Sequence, residues 1–350
     1  MKRNVRVAIW GFGAMGSGMA EMLLKKTGVE ITAVCDRHEG RVGKDIHEVL
    51  GVERGDRAEV IINPNVEEVI KEGVCDVVLC ATDSFTKSAF PRLKYCLEQK
   101  LNVISTAEEM AYPQAQNPEL AAELDRIAKE NGVSILGTGI NPGLIMDLLV
   151  VILTGAMTEL DHVKAERINS LSPFGHTVME EQGVGLPKDE FMRRVEDGTM
   201  AGHVGFEESI TMIGDAVGWK VEGIKTQMAP ITTDVDRKSP HGFAAAGDVC
   251  GVNMTGQGYV DGKVLIDMYH PQQIEPEQVG VFTGDYITLQ GKPEINMAIK
   301  PETEGGLGTI AMCVNMIPQI INANPGLKTM LDLPVPRAIM GDMRDRIEKF

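Results

Sequence analysis

Residues 4–36 read NVRVAIWGFGAMGSGMAEMLLKKTGVEITAVCD. The first seven, NVRVAIW, alternate and are rich in β-branched side chains, so they predict a strand. Gly11, Phe12, Gly13, Ala14, Met15 and Gly16 follow as G-x-G-x-x-G, and a helical pattern then runs to about Lys26. Met15, Met19 and Met22 recur at helical spacing and predict a core-facing stripe rather than a ligand contact. EITAVCD at 30–36 predicts a second strand that ends on Asp36.

A glycine-rich turn between a strand and a helix is a place to hold a dinucleotide. Gly11 permits the tight turn, Gly13 lets backbone approach a pyrophosphate, and Gly16 lets the helix pack close to the strand. The helix N-terminus offers unpaired N–H groups and partial positive charge to the phosphates. An acidic residue about 20 positions further on binds the ribose hydroxyls, and Asp36 stands there. The expected cofactor is NAD or NADP. Asp36 favours NAD by repelling a 2′-phosphate, whereas Arg37, His38 and Arg41 offer partners for one.

Working outward, AEVIIN at 58–63, CDVVLCAT at 75–82, NVIST at 102–106 and VSILGT at 133–138 predict further strands. Helices are expected near 65–72, 86–99 and 117–131. The alternation predicts an α/β fold, a doubly wound parallel sheet of Rossmann type. After about residue 150 the texture changes. HVKAERIN at 162–169 and the runs YVDGKVLIDMYH, VGVFTGDYITL and PEINMAIK within 258–300 predict strands joined by turns, an α+β domain for substrate binding and dimerisation. The expected organisation is a dinucleotide domain at 1–150, an α+β domain at 151–305, and a helical segment at 306–350 that packs back on the first domain. No strand or helix is assigned within most of 185–258.

Ligands of open α/β sheets bind beyond the carboxyl ends of the strands. Ala81, Thr82 and Asp83 after the fourth strand are therefore expected beside the nicotinamide or its ribose. Glu108 and Glu109 follow the fifth strand, where a carboxylate can work as general acid and base, and spacing does not choose between them. GTGINPG at 137–143 is expected to open a helix and to place Asn141 and Pro142 between cofactor and substrate. Arg167, Asn169 and Ser170, with His176 and Thr177, supply the cation, amide, hydroxyl and imidazole suited to a substrate carboxylate. His203 is a weaker candidate.

The net charge of −16 and pI near 4.9 argue against nucleic-acid and anionic-membrane partners, which reward a basic face. The six cysteines form no C-x-x-C pair and are expected as reduced core thiols. Clustered His/Cys spacing is absent, so no metal is expected. No apolar run approaches the ~20 residues of a membrane span, and the chain opens directly on a strand, so a cytoplasmic location is expected.

GFGAMG, CATDSF, STAEEMAYP, GTGINPG and NSLSPFGHTVMEEQGVG resemble the 2,4-diaminopentanoate dehydrogenase family. That family belongs to the native amine dehydrogenases and shares its fold with dihydrodipicolinate-reductase-like proteins. The resemblance spans the whole chain and is most specific in the Glu-Glu-Met-Ala-Tyr-Pro run and around 170–185. It implies NAD(P)-dependent oxidative deamination of 2,4-diaminopentanoate to 2-amino-4-oxopentanoate and ammonia in ornithine fermentation. It also implies a homodimer and a glutamate, here Glu108 or Glu109, that handles proton transfer. Departures from other relatives matter too. The adjacent His-His pair of true dihydrodipicolinate reductases is missing, and Glu-Glu-Met stands where sugar-oxidising relatives carry a lysine. The alternatives are a homoserine- or diaminopimelate-type dehydrogenase and a non-catalytic NAD-sensing protein.

Overall fold

In a computed structural model of the chain, residues 3–200 and 202–348 are described. They form two compact units, one running to Leu144 and resuming at Glu304, the other comprising Ile145–Thr303.

The first unit alternates β1 (Val5–Trp10), α1 (Ala14–Leu24), β2 (Val29–Cys35), α2 (Ile46–Leu50), β3 (Ile62–Asn63), α3 (Val66–Val69), β4 (Val77–Cys80), α4 (Thr86–Glu98), β5 (Asn102–Ser105), α5 (Pro118–Asn131) and β6 (Ser134–Gly137). The strands lie parallel in the order β6-β5-β4-β1-β2-β3. All four residues of β4 and of β6 are buried, as a parallel sheet covered on both faces requires. Strand order reverses at β1, which pairs with β2 on one side and β4 on the other. The crevice for a ligand opens at that reversal, beyond the carboxyl ends. Of the Met stripe, Met19 is fully buried while Met15 and Met22 are half-buried. All six cysteines are free and buried; burial pushes the Cys80 thiol up to about 11 and the Cys313 thiol up to about 12.

The second unit begins with α6 (Leu148–Thr154), β7 (Glu159–Ser170), α7 (His176–Glu181), α8 (Lys188–Glu196), α9 (Phe206–Val217) and β8 (Gly223–Thr232). It continues through β9 (Arg237–Lys238), β10 (Phe243–Ala244), β11 (Val249–Val260), β12 (Lys263–Gln273), β13 (Gly284–Lys292) and β14 (Ile295–Ile299). Six strands make a mixed sheet, β14-β13-β7-β12-β11-β8, in which β7 and β12 run parallel. Asp261 and Gly262 join β11 to β12 with φ of 48° and 71°, the backbone a two-residue hairpin needs. α9 covers one face of this sheet. A Cβ on Gly258 would stand 2.6 Å from Ile210 and one on Gly256 3.1 Å from Phe206, so both glycines make room for the helix.

The chain then returns to the first unit as α10 (Gly305–Asn315), α11 (Ile317–Asn322) and β15 (Gly326–Lys328). α10 lies on α1, where a Cβ at Gly18 would come within 2.3 Å of Ile310. β15 pairs parallel with β6 as a seventh strand.

Three expectations change. Among the described residues of 306–350, α-helix runs only as far as Asn322, and beyond it there is a 3-10 turn at Met343–Arg346. Ala323 caps the helix, Asn324 and Pro325 do not continue it, and the chain re-enters the sheet as β15 at Gly326. The third strand shrinks from 58–63 to Ile62–Asn63; the residues before it bond to the 43–46 segment instead, the Ile46 N–H donating to the Val60 carbonyl at 3.0 Å and the Ile62 N–H to that of Lys44 at 2.9 Å. The loop 137–143 does not open a helix directly; turns separate it from α6, which starts at Leu148. There Asp147 caps the helix by accepting from the Leu148 N–H at 2.6 Å.

Gly16 is the tightest point of the first turn, since a Cβ there would stand 1.8 Å from the Gly11 carbonyl oxygen. Gly16→Ala is expected to cost about 1–3 kcal/mol through forced backbone displacement and to abolish NADH binding. Urea unfolding and a fluorescence titration with NADH check both; unchanged affinity would show that the turn tolerates a side chain.

Candidate active site

In the first unit the carboxyl ends of β1, β2, β4, β5 and β6 gather the expected residues on one edge. The Gly11 N–H donates to the Cys35 carbonyl at 2.8 Å, the Ala81 N–H to Trp10 at 2.8 Å, and the Thr106 N–H to Cys80 at 3.0 Å. A Cβ at Gly11, whose φ is +93°, would lie 2.4 Å from the Ala81 oxygen. The loop after β4 therefore rests on the glycine turn. By contrast, nothing lies within 4 Å of where a Cβ on Gly13 would stand. The glycine turn is packed at Gly11 and Gly16 and open at Gly13, the side a pyrophosphate needs. α1 carries no acidic residue in its first turn and no side-chain cap, so its N–H groups face that opening unopposed.

Asp36 is fixed at the tip of β2. One carboxylate oxygen accepts from the Phe12 N–H at 2.5 Å and the other from the His38 N–H at 2.7 Å. Arg41 approaches it at 3.9 Å, while Arg37 and His38 are exposed. Ala14 is exposed and Met15 half-buried at the start of α1. Thr82 is exposed and donates to Asp83, which also pairs with Arg92 at 2.8 Å. These residues fit a dinucleotide: glycine backbone for the phosphates, Asp36 for the ribose, and the Ala81–Asp83 loop beside them.

Glu108 and Glu109 sit on a 3-10 turn, Glu108–Ala111, directly beyond β5. Gly137 lets that turn lie over the end of β6, because a Cβ there would be 2.0 Å from the Met110 oxygen. The two carboxylates are used differently. Glu109 accepts from the Thr86 N–H at 2.7 Å and from Asn117 Nδ2 at 3.0 Å. Glu108 is half-buried on the same turn, and the bonds to Thr86 and Asn117 are not its own. Asn141 is half-buried and Pro142 buried on the next loop. That loop is tied down where the Ile140 N–H donates to Thr309 Oγ1 at 3.2 Å.

The second unit holds a separate buried polar row. On the inward face of its sheet, Leu289, Val163 and Ile266 form one row and Ile287, Ala165 and Met268 the next. The following positions are Asp285, Arg167 and His270, and beyond them Asn169 and Gln272. Arg167, 2 % exposed, donates to Asp285 at 2.5 Å and to the Thr303 carbonyl at 2.6 Å. Asp285 also accepts from the Thr303 N–H at 2.8 Å. His270 Nε2 lies 2.9 Å from Asn169 Oδ1; an amide oxygen cannot donate, so Nε2 carries the proton and Nδ1 is the acceptor. The His203 ring meets the His270 ring edge-on at 4.5 Å between centroids. Burial, with Arg167 nearby, pushes His203 down to about 4 and holds His270 well below its ordinary range, helped there by His203. Two atoms of this row are buried without a partner, His270 Nδ1 and Gln272 Nε2.

Not all expected substrate residues join the row. His176 and Thr177 are exposed on α7, and His176 lies 3.7 Å from Glu180. Ser170 faces away from Asn169 on the alternate side of β7; its N–H donates to Glu302 and its hydroxyl accepts from Ser172. His270, Gln272 and Asp285 join the row without having been candidates in the sequence. Their signal is a polar residue in the inward register of an otherwise apolar alternation: Ile266, Met268, His270, Gln272 on β12, and Asp285, Ile287, Leu289 on β13.

Comparison with known proteins fits this geometry. Residues 144–349 match the model of the 2,4-diaminopentanoate dehydrogenase C-terminal domain, and residues 5–133 match that of the dihydrodipicolinate reductase N-terminus. The chain is 63% identical to a 2,4-diaminopentanoate dehydrogenase from Acetoanaerobium sticklandii, covering 99% of this chain and 98% of that one. The chain belongs to the 2,4-diaminopentanoate dehydrogenase family. It is also 25% identical to an amine dehydrogenase from Streptomyces virginiae, over 96% of this chain and 98% of the relative. The solved structure of an amine dehydrogenase from Mycobacterium smegmatis superposes with a TM-score of 0.85 at 27% identity, covering 96% and 98% of the two chains. Members of this family are oxidoreductases using NAD(P), and this chain is an NAD(P)-dependent amine dehydrogenase.

The histidine pair makes stability pH-dependent in one direction. In the unfolded chain both imidazoles take a proton below about 6.5, whereas in the fold His203 resists protonation until about 4. The stabilisation is complete above about 6.5 and is lost as pH falls toward 4. Urea midpoints measured from pH 7.5 to 5 are expected to drop for the wild type and to drop less for His203→Gln; equal slopes would remove His203 from the account.

Proposed function

We propose that this enzyme oxidatively deaminates 2,4-diaminopentanoate to 2-amino-4-oxopentanoate and ammonia, with Glu108 as the acid and base. The observation that carries the substrate assignment is the pair of unpartnered buried atoms on one face of β12. His270 Nδ1 is an acceptor and Gln272 Nε2 a donor. They stand two positions apart beside the Arg167–Asp285 pair. A buried polar group left unmatched costs about 1–3 kcal/mol. An α-amino acid head supplies both complements: its ammonium donates to His270 Nδ1, and its carboxylate accepts from Gln272 Nε2 and the guanidinium side of Arg167. A neutral His270 is the form that can accept, so the burial that suppresses its protonation also serves the substrate.

In the overall change the substrate ammonium, oxidised NAD and one water become the ketone, an ammonium ion, NADH and one proton. A nicotinamide cofactor held by the glycine turn at 11–16 and by Asp36 would supply the hydride acceptor for the amine-bearing carbon next to the terminal methyl. The other steps belong to protein groups. Glu108 removes a proton from the ammonium on that carbon, since only the free amine can release hydride. With that proton passed to solvent, Glu108 takes one from the water that adds to the resulting iminium and returns it to the nitrogen; as the C–N bond breaks, the hydroxyl proton leaves with the ammonia as an ammonium ion and the ketone remains. The Asp36 carboxylate, held by two backbone N–H groups, favours the two hydroxyls of NAD over the 2′-phosphate of NADP, although Arg41 offsets part of its charge. The same reading includes a homodimer acting in the cytoplasm in ornithine breakdown.

The test is NADH formation and ammonia release with 2,4-diaminopentanoate. Glu108→Gln is expected to lower kcat by about 10²–10⁴-fold with NADH affinity retained. His270→Ala and Gln272→Ala are expected to act mainly on KM, each by about 5- to 100-fold. NADH formation from a hydroxy acid without ammonia would overturn the reaction class, and an unchanged KM in both variants would remove the substrate head from this row.

A further inference from the structure

We propose that Glu109 is a positioning residue: its carboxylate locks the 3-10 turn bearing Glu108 to the loop after β4 and to the start of α5, so that these segments move as one block. This rests on the assignment of Glu108 as the acid and base.

Helix α4 begins at Thr86 with Phe85 at its N-cap, and Phe85 supplies no side-chain cap. Its first N–H is served instead from another element, by Glu109 at 2.7 Å. A carboxylate also suits that end of a helix electrostatically. Thr86 is fully buried, so this N–H has no recourse to water. The same Glu109 oxygen accepts from Asn117 Nδ2 at 3.0 Å. Asn117 is buried and stands at the N-cap of α5, making no side-chain cap bond there. Its amide is turned toward Glu109 rather than toward its own helix. The Glu109 N–H closes the clamp by donating to the Ser84 carbonyl at 3.2 Å.

The geometry makes the neighbouring residues respond together. Ser84 lies in the loop that carries Ala81, Thr82 and Asp83 along the cofactor edge, and Glu108 precedes Glu109 directly. Losing the carboxylate frees one end of α4, one amide of α5 and the register of the 3-10 turn. A displacement of about 1 Å in a reacting group costs on the order of 10²-fold in rate.

The variants to compare are Glu109→Ala, Glu109→Gln, Asn117→Ala and Glu108→Gln, each by steady-state kinetics over pH and by NADH titration. Glu109→Ala is expected to lose about 10²-fold in kcat/KM, to raise KM for NAD, and to keep the wild-type pH profile, because the proton carrier is still present. Glu109→Gln is expected to recover most of the activity. Its amide oxygen still accepts from the Thr86 N–H, and Asn117 can turn its own oxygen toward the new NH2. Asn117→Ala is expected to shift KM for NAD in the same direction as Glu109→Ala. If Glu109→Gln is as inactive as Glu109→Ala and loses the limb of the pH profile, Glu109 carries the proton and the positioning role falls. If Glu109→Ala leaves kcat, KM for NAD and NADH affinity unchanged, the clamp does not act. If Glu108→Gln stays active while Glu109→Gln rescues, only the assignment of Glu108 falls.

Discussion

The close approach of backbone to backbone at the carboxyl edge of the parallel sheet is the constraint on which the cofactor half depends. The turn after β1 touches the loop after β4, and the start of α1 touches the turn itself. The 3-10 turn after β5 lies on the end of β6. Each contact occurs at a glycine whose Cβ would stand within 2.4 Å of a carbonyl oxygen. Side chains at Gly11, Gly16 or Gly137 would separate the very loops that must converge on one ligand. Gly13 is the exception that gives the edge its use, because there the missing side chain faces open space rather than another loop.

The second unit solves a different problem. Its sheet face starts as an ordinary apolar core under α9 and turns polar within two residue positions. A buried guanidinium is tolerable there because Asp285 neutralises it and Thr303 supplies both a carbonyl and an N–H. The histidines stay neutral for the same reason that Arg167 needs Asp285: charge is expensive in this layer. What remains is a short donor and acceptor pattern set in a low-polarity wall, where a matched head group is worth more than it would be in water.

The two halves are unequally legible in the sequence. The cofactor edge can be read because its chemistry is local: Gly11 to Gly16, Asp36, Ala81 to Asp83 and Glu108 to Glu109 each follow a strand directly, and a parallel sheet brings strand ends together by construction. The polar row is non-local. Arg167 and Asn169 stand out as a cation and an amide close together. His270, Gln272 and Asp285 become their neighbours only through the parallel pairing of β12 with β7 and the antiparallel pairing of β13. β8 is hard to see in the sequence because its side chains are exposed or half-buried along an edge, so it lacks the apolar alternation that marks a strand. His176 misleads for the opposite reason: it neighbours Ser172 and Phe174 in sequence, yet α7 turns it outward.

The two adjacent glutamates show where such reading reaches its limit. In a 3-10 turn successive side chains diverge by about 120°, so neighbours in sequence face different surroundings. No spacing rule can say which of them meets the Thr86 N–H, since that depends on where α4 starts and which way Asn117 turns. Once one carboxylate is engaged by a helix end and a buried amide, its ability to exchange protons with a substrate is restricted by the bonds it would have to break. Those bonds to the ends of α4 and α5 are not ones that Glu108 must break. A pair that looks redundant in sequence is thus divided by its surroundings, with Glu109 alone tied to the Thr86 N–H and the Asn117 amide.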